Sequence, residues 1–118
     1  MMIINLSKGT VLAKEYKRCT SLFSKGIGLM FTPQKQQKPL LFEFSKEKLV
    51  QLHMLFVFYP IDVIYLNQKR EIVEVKQSLK PFSYYSPKHR AQFVLELPQG
   101  SIQRTESTVG DKVEFKKV

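Results

Sequence analysis

The sequence holds a single cysteine, Cys19, so no disulfide can form within the chain and no cysteine-based metal site can be built from it. Cys19 sits in Lys17-Arg18-Cys19-Thr20 at the end of an expected strand. The flanking cations favour a thiolate, but a nucleophilic cysteine needs a positioned base, and the residue is read as unreactive. Histidine is nearly as scarce. His53 and His89 stand far apart in the chain and in no metal-ligand spacing, so neither a metal nor a cofactor is expected. Long apolar runs are missing too. The most apolar stretch, residues 54–66, falls short of the roughly 20 residues a membrane helix needs, and Pro60 and Asp62 interrupt it. The opening residues lack the basic lead-in and apolar length of a signal peptide, so a cytoplasmic location is expected. Glycine-rich phosphate loops are lacking, since Gly26-Ile27-Gly28 has none of the remaining positions of such a motif, and no Gly-x-Ser-x-Gly element occurs.

What is present is material for one core. The 118 residues suffice for a single domain, residues 1–118, and 43% of them are hydrophobic, including nine Phe and five Tyr. The net charge is +9. Such a surplus suits an anionic partner such as nucleic acid, anionic lipid or an acidic protein, and equally a lysine-rich solubilising surface. Lys and Arg are scattered, with no run longer than two. Residues 1–59 hold nine basic against three acidic side chains, so the surplus leans toward the first half without forming a patch.

Strand patterns dominate. Residues 2–6 and 10–16 flank the turn-forming Ser7-Lys8-Gly9 and predict an opening hairpin. Residues 21–31 predict a short helix, capped by Ser21 and weakened by Gly26 and Gly28, before a polar loop over residues 32–39. Leu40-Leu41-Phe42-Glu43-Phe44 predicts a strand followed by a charged turn at residues 45–48. Residues 52–66 are continuously apolar, β-branched and aromatic, predicting strands buried on both faces and divided at Pro60, which cannot donate to a ladder. A turn at residues 67–70 leads into a partner strand over residues 71–76, with Val73 and Val75 on one face and Glu74 and Lys76 on the other. A long loop, residues 78–89, precedes a strand at residues 92–97, a helical turn at residues 101–105 and a last strand at residues 112–116. The expected fold is mainly β: a compact β-sandwich or barrel of about seven or eight short strands with one or two short helices.

Six residues are candidates for a site. Asp62 lies inside the apolar run, where a carboxylate is costly unless paired or hydrogen-bonded. It is either a structural acceptor of backbone N–H groups near the Pro60 bend, or partner of a cation, or a pocket carboxylate with a shifted pKa. His53 opens the same segment and is read first as a core or edge residue. Tyr84 and Tyr85 lie in the proline-flanked loop with Lys80, Lys88, His89 and Arg90 nearby; aromatics among cations can stack bases or sugars, or can simply anchor the loop.

Several elements in order resemble the uncharacterised family known as domain of unknown function 192. Lys25 precedes Gly28-Leu29-Met30-Phe31; Leu40-Leu41-Phe42-Glu43-Phe44 follows; Met54 stands ahead of Pro60-Ile61-Asp62; then come Lys80-Pro81, Val94-Leu95-Glu96-Leu97-Pro98-Gln99-Gly100 and Val109-Gly110-Asp111-Lys112-Val113. The chain looks most like the archaeal branch. The resemblance implies a compact, mostly β fold with short helices and implies no reaction. It also contains a departure: where typical bacterial members carry a Trp before the Met and Lys-Asn-Thr after it, this chain has His53 and Leu55-Phe56-Val57. The leading expectation is a non-catalytic binding or interaction module, with a surface formed by residues 78–90 and the surroundings of His53 and Asp62. The alternatives are a small enzyme using Asp62 with a histidine as acid and base, a nucleic-acid-binding protein, and a structural subunit whose apolar face a partner covers.

Overall fold

A computed structural model describes residues 1–19 and 29–117. Among them the chain forms ten strands: β1 (Met2–Asn5), β2 (Thr10–Ala13), β3 (Lys17–Cys19), β4 (Leu40–Lys48), β5 (Leu52–His53), β6 (Ile61–Leu66), β7 (Ile72–Leu79), β8 (Tyr84–Tyr85), β9 (Ala91–Pro98) and β10 (Val113–Lys116). One short α-helix, α1 (Ser101–Thr105), lies between β9 and β10. The helix expected over residues 21–31 falls mostly outside the described residues; residues 29–31 form a turn. The polar loop at residues 32–39 holds a 3-10 turn at Gln34–Gln36.

The centre is a five-stranded sheet in the order β3-β4-β9-β6-β7. Its pairs are antiparallel except β3 with β4. A three-stranded sheet, β10-β1-β2, covers one face. Here Ile3, Leu12 and Val113 pack with Leu41, Ile64, Leu66, Phe93, Leu95 and Leu97, and Ile102 of α1 closes the end. The opposite face is covered by loops and by a two-stranded ribbon, β5-β8, and packs Leu40, Phe42, Met54, Val57, Tyr59, Val63 and Tyr65. Central strands in contact with layers above and below must be apolar on both sides, which is why β6 is buried at every position. The architecture is mainly β and sandwich-like.

Three local expectations are corrected. Residues 45–48 continue β4 instead of turning. Residues 54–60, although apolar, are not strand: the ladder stops after His53 and resumes at Ile61. Val73 and Val75 do not share a face, because a bulge between Tyr65 and Leu66 pairs Leu66 with Ile72 but Tyr65 with Glu74. The extra residue sets Glu74 opposite Tyr65, on the loop-covered face.

Candidate functional site

Asp62 is placed by β6 on the side of the sheet facing α1, and its carboxylate is 1% exposed. Its oxygens accept three backbone N–H groups: Ser78 at 3.0 Å, Gly100 at 3.1 Å and Ile102 at 2.9 Å. The role is structural. It ties the end of β7 and the start of α1 to the central strand, at sites distant in sequence rather than at the Pro60 bend. Neither histidine hydrogen-bonds to Asp62: His53 Nδ1 accepts the Leu55 N–H at 3.3 Å, and His89 Nδ1 lies 2.8 Å from Glu74.

The other candidates come together at one corner. β5 and β8 pair so that His53 stands opposite Tyr84, and Leu52 opposite Tyr85. His53 and Tyr84 are exposed, while Tyr85 turns half inward. There its hydroxyl donates to Glu74. Glu74 also accepts the backbone N–H groups of Lys88, at 2.9 Å, and His89, at 3.0 Å. One nearly buried carboxylate thus clamps the whole loop after β8 onto β7. Burial alone would raise its pKa, but the hydrogen bonds from Tyr85, from the His89 ring and from the two N–H groups hold it below the usual carboxylate value. Burial and that same bond push the Tyr85 phenol up to about 12. Arg90 is exposed immediately before β9. Five of the six candidates, all except Asp62, therefore belong to one loop corner.

Sequence reasoning missed what lies next to this corner. The β5-β8 ribbon is extended by Met54 N–H donating to Ser83 C=O and Phe82 N–H to Met54 C=O, and Phe31 N–H donates to Phe56 C=O. These bonds join three loops, and four phenylalanines crown them: Phe31 is 65% exposed, Phe56 43%, Phe58 63% and Phe82 50%. Phe31 stacks on Phe56 at 4.6 Å between centroids, and Phe82 meets the edges of Phe56 and Phe58 at 6.0 and 5.3 Å. Phe31, Phe56 and Phe82 have φ of 60°, 55° and 57°. This left-handed conformation is unfavourable for a bulky side chain by roughly 1 kcal/mol or more at each site. The one available signal was aromatic excess in residues 54–59 without turn-forming residues, which reads as core.

The same loops share a charge. Residues 29–39, 49–60 and 80–90 contain no Asp or Glu, whereas Lys35, Lys38, Lys80, Lys88 and Arg90 all lie within them and are exposed. Within these three segments the cations are joined by no acid of their own, and the carboxylate that meets them, Glu74, reaches up from β7.

Beneath the loops, Glu96 of β9 lies between Leu40 and Val63 on the loop-covered face of the sheet. Burial lifts its carboxyl to about 7. Nearby Tyr59 is raised by burial and then by the Glu96 charge, and its buried hydroxyl has no hydrogen-bond partner among the described residues. At the far end, Asp111 accepts from Asn5, Lys8 and Thr108, which outweigh its burial and hold it down at about 2. Two clefts flank α1, one including Leu12, Pro98 and Arg104 and one including Lys8, Gln77 and Glu106; neither touches any of the six candidates. No cluster of His, Cys, Asp or Glu suited to a metal occurs among the described residues, and no helix among them is long and apolar enough to cross a membrane.

Comparison with known proteins adds fold and kinship. A crystal structure from Sinorhizobium meliloti 1021, described as a candidate transcription regulator, superposes with a TM-score of 0.84 at 22% identity, covering 96% of this chain and 89% of that one. A protein of unknown function from Novosphingobium aromaticivorans gives 0.81 at 20% identity, covering 97% and 82%. At such identities the likeness is one of fold. Among sequences, a UPF0127 protein of Thermococcus sibiricus is 33% identical over 115 residues, spanning 97% of this chain and 74% of its own length. A UPF0127 protein of Pyrococcus furiosus is 32% identical over 118 residues, spanning 98% and 99%. The sequence pattern of DUF192, described as an uncharacterized ACR family, matches residues 4–115, and the chain belongs to that family.

Proposed function

We propose that the chain is a non-catalytic binding module that takes an anionic partner on the loop face built from residues 29–39, 49–60 and 80–90. One observation carries this reading: four phenylalanines are held out of the core, three of them in left-handed backbone, on loops that contain cations and no acid. Exposed aromatic clusters of this kind mark interaction surfaces, and backbone strain concentrates where a conformation serves binding. With five exposed cations and no acid in these segments, the charge they carry favours an anionic partner. Glu74 supports the reading from below by fixing Tyr85, Lys88 and His89 to the sheet, so that the cations stand on a rigid base.

The test is chromatography on immobilised heparin, a plain polyanion, with two variants of equal net charge. Lys80→Glu/Lys88→Glu/Arg90→Glu reverses charge on the face; Lys14→Glu/Lys69→Glu/Lys116→Glu reverses it at exposed positions on other parts of the molecule. The face variant is expected to elute at much lower salt than the control variant. Equal elution would mean that only net charge matters, and the proposed face would fall.

A further inference from the structure

We infer that the anionic partner is a membrane surface rich in anionic lipid, which the chain meets as a peripheral protein with Phe31, Phe58 and Phe82 entering the headgroup layer. The inference rests on the binding face proposed above and names its partner. Three observations select lipid over the other anions.

The first is how the rings are arranged. A nucleic-acid platform offers flat aromatic faces on which bases stack. Here Phe31 and Phe56 spend faces on each other at an interplanar angle of 19°, and Phe82 lies edge-on to Phe56 and Phe58 at 73° and 74°. The rings form one apolar plug instead of a row of free faces. The second is what the apex lacks. Leu55, Phe56 and Phe58, with Pro81-Phe82 and Met30-Phe31, bring no side-chain hydrogen-bond donor or acceptor. The N–H groups of Phe31, Val57 and Phe82 are already bonded to loop carbonyls. The apex offers no side-chain group that could read a base edge, and a lipid interface asks for none. The third is where the charge lies. Lys80 stands two residues ahead of Phe82 and Lys35 four residues after Phe31, both exposed, so the loops that carry the plug also carry cations. Apolar side chains flanked by Lys and Arg are the combination that binds anionic interfaces, the rings entering while the cations stay with the phosphates. A second copy of the chain is disfavoured by the same charge, since a two-fold pair through this face would set Lys35, Lys38, Lys80, Lys88 and Arg90 against their own copies.

The chain contains no Trp, so Phe58→Trp installs a single fluorescent reporter at an exposed ring position. The full-length variant is mixed with vesicles of phosphatidylcholine alone, or of phosphatidylcholine with phosphatidylglycerol, each with and without brominated acyl chains. The expected result is a blue shift, and quenching by bromine, with the phosphatidylglycerol vesicles and not with phosphatidylcholine alone. Phe31→Ser/Phe82→Ser in the same background should lower vesicle partitioning by about 10-fold or more at unchanged heparin retention, with a cooperative thermal transition showing that the variant is folded. Salt-sensitive vesicle binding without a blue shift would make the contact purely electrostatic and overturn insertion. Binding of a fluorescent single-stranded oligonucleotide with no vesicle binding would overturn the lipid partner while keeping the anionic face. A sedimenting dimer split by Phe31→Ser/Phe82→Ser would place a second copy on the plug and overturn it equally. Loss of the heparin difference between the charge variants, by contrast, would remove the binding face itself.

Discussion

Asp62 shows how one residue can be legible in kind and not in detail. A carboxylate in an apolar strand had to be satisfied, and backbone N–H acceptance was one of the three readings its sequence context allowed. That the donors are Ser78, Gly100 and Ile102 was invisible, because they arrive from β7 and α1 through the tertiary fold. Asp62→Ala should leave these donors unpaired and cost about 3 kcal/mol or more in urea denaturation, with Asp62→Asn losing less because one oxygen remains. Glu96 carries the opposite kind of consequence. Its carboxyl sits at about 7 in the folded chain against an ordinary 4.5, so the native state holds a proton that the unfolded state releases first. Stability should therefore fall as pH rises from about 4.5 to about 7, by roughly 3 kcal/mol, and Glu96→Gln should flatten that slope and be the more stable protein at pH 8. Asp111 runs the other way. Held at about 2 against 3.8, it stabilises above its unfolded value, and about 2 kcal/mol is lost as pH falls from 4 to 2, a loss that Asp111→Asn should abolish. Denaturation midpoints across pH check both signs.

At the scale of elements, the hairpins were readable and the loops were not. Ser7-Lys8-Gly9 and residues 67–70 punctuate strands whose alternation is local, so β1 with β2 and β6 with β7 follow from the chain itself. The stretch from Met54 to Tyr59 did not follow. Its apolar content is that of a buried strand, yet Met54, Val57 and Tyr59 point in while Leu55, Phe56 and Phe58 point out. Hydrophobicity reports burial only on average, and here an outward set is interleaved with an inward one at irregular spacing. The bulge that aims Glu74 at the β8 loop was hidden for a similar reason, since one inserted residue reverses every face assignment beyond it. Glu74→Gln should weaken the clamp, and hydrogen exchange at the Lys88 and His89 amides should accelerate while that of β9 is unchanged. Phe56→Gly separates stability from function in the loops. Glycine takes a φ of 55° freely, so the loss of a half-exposed ring should cost no more than about 1 kcal/mol in thermal unfolding.

The whole molecule divides its labour between the two faces of the central sheet. Around α1, Asp62 and Asp111 bind the layers together with satisfied carboxylates. Met54 and Leu29 pack on the opposite face, where the aromatic and basic loops emerge. Net charge was known from composition, but a sum over the chain conceals that residues 29–39, 49–60 and 80–90 hold cations and no acid. That division makes a spatial claim that can be read directly. In a heteronuclear NMR titration of the wild-type chain with a heparin oligosaccharide, the amide shifts should move at residues 31–38, 55–58 and 80–90 and stay fixed in β1, β10 and α1. Perturbations centred on α1 and the Lys8–Asp111 end, with the aromatic loops silent, would contradict the account.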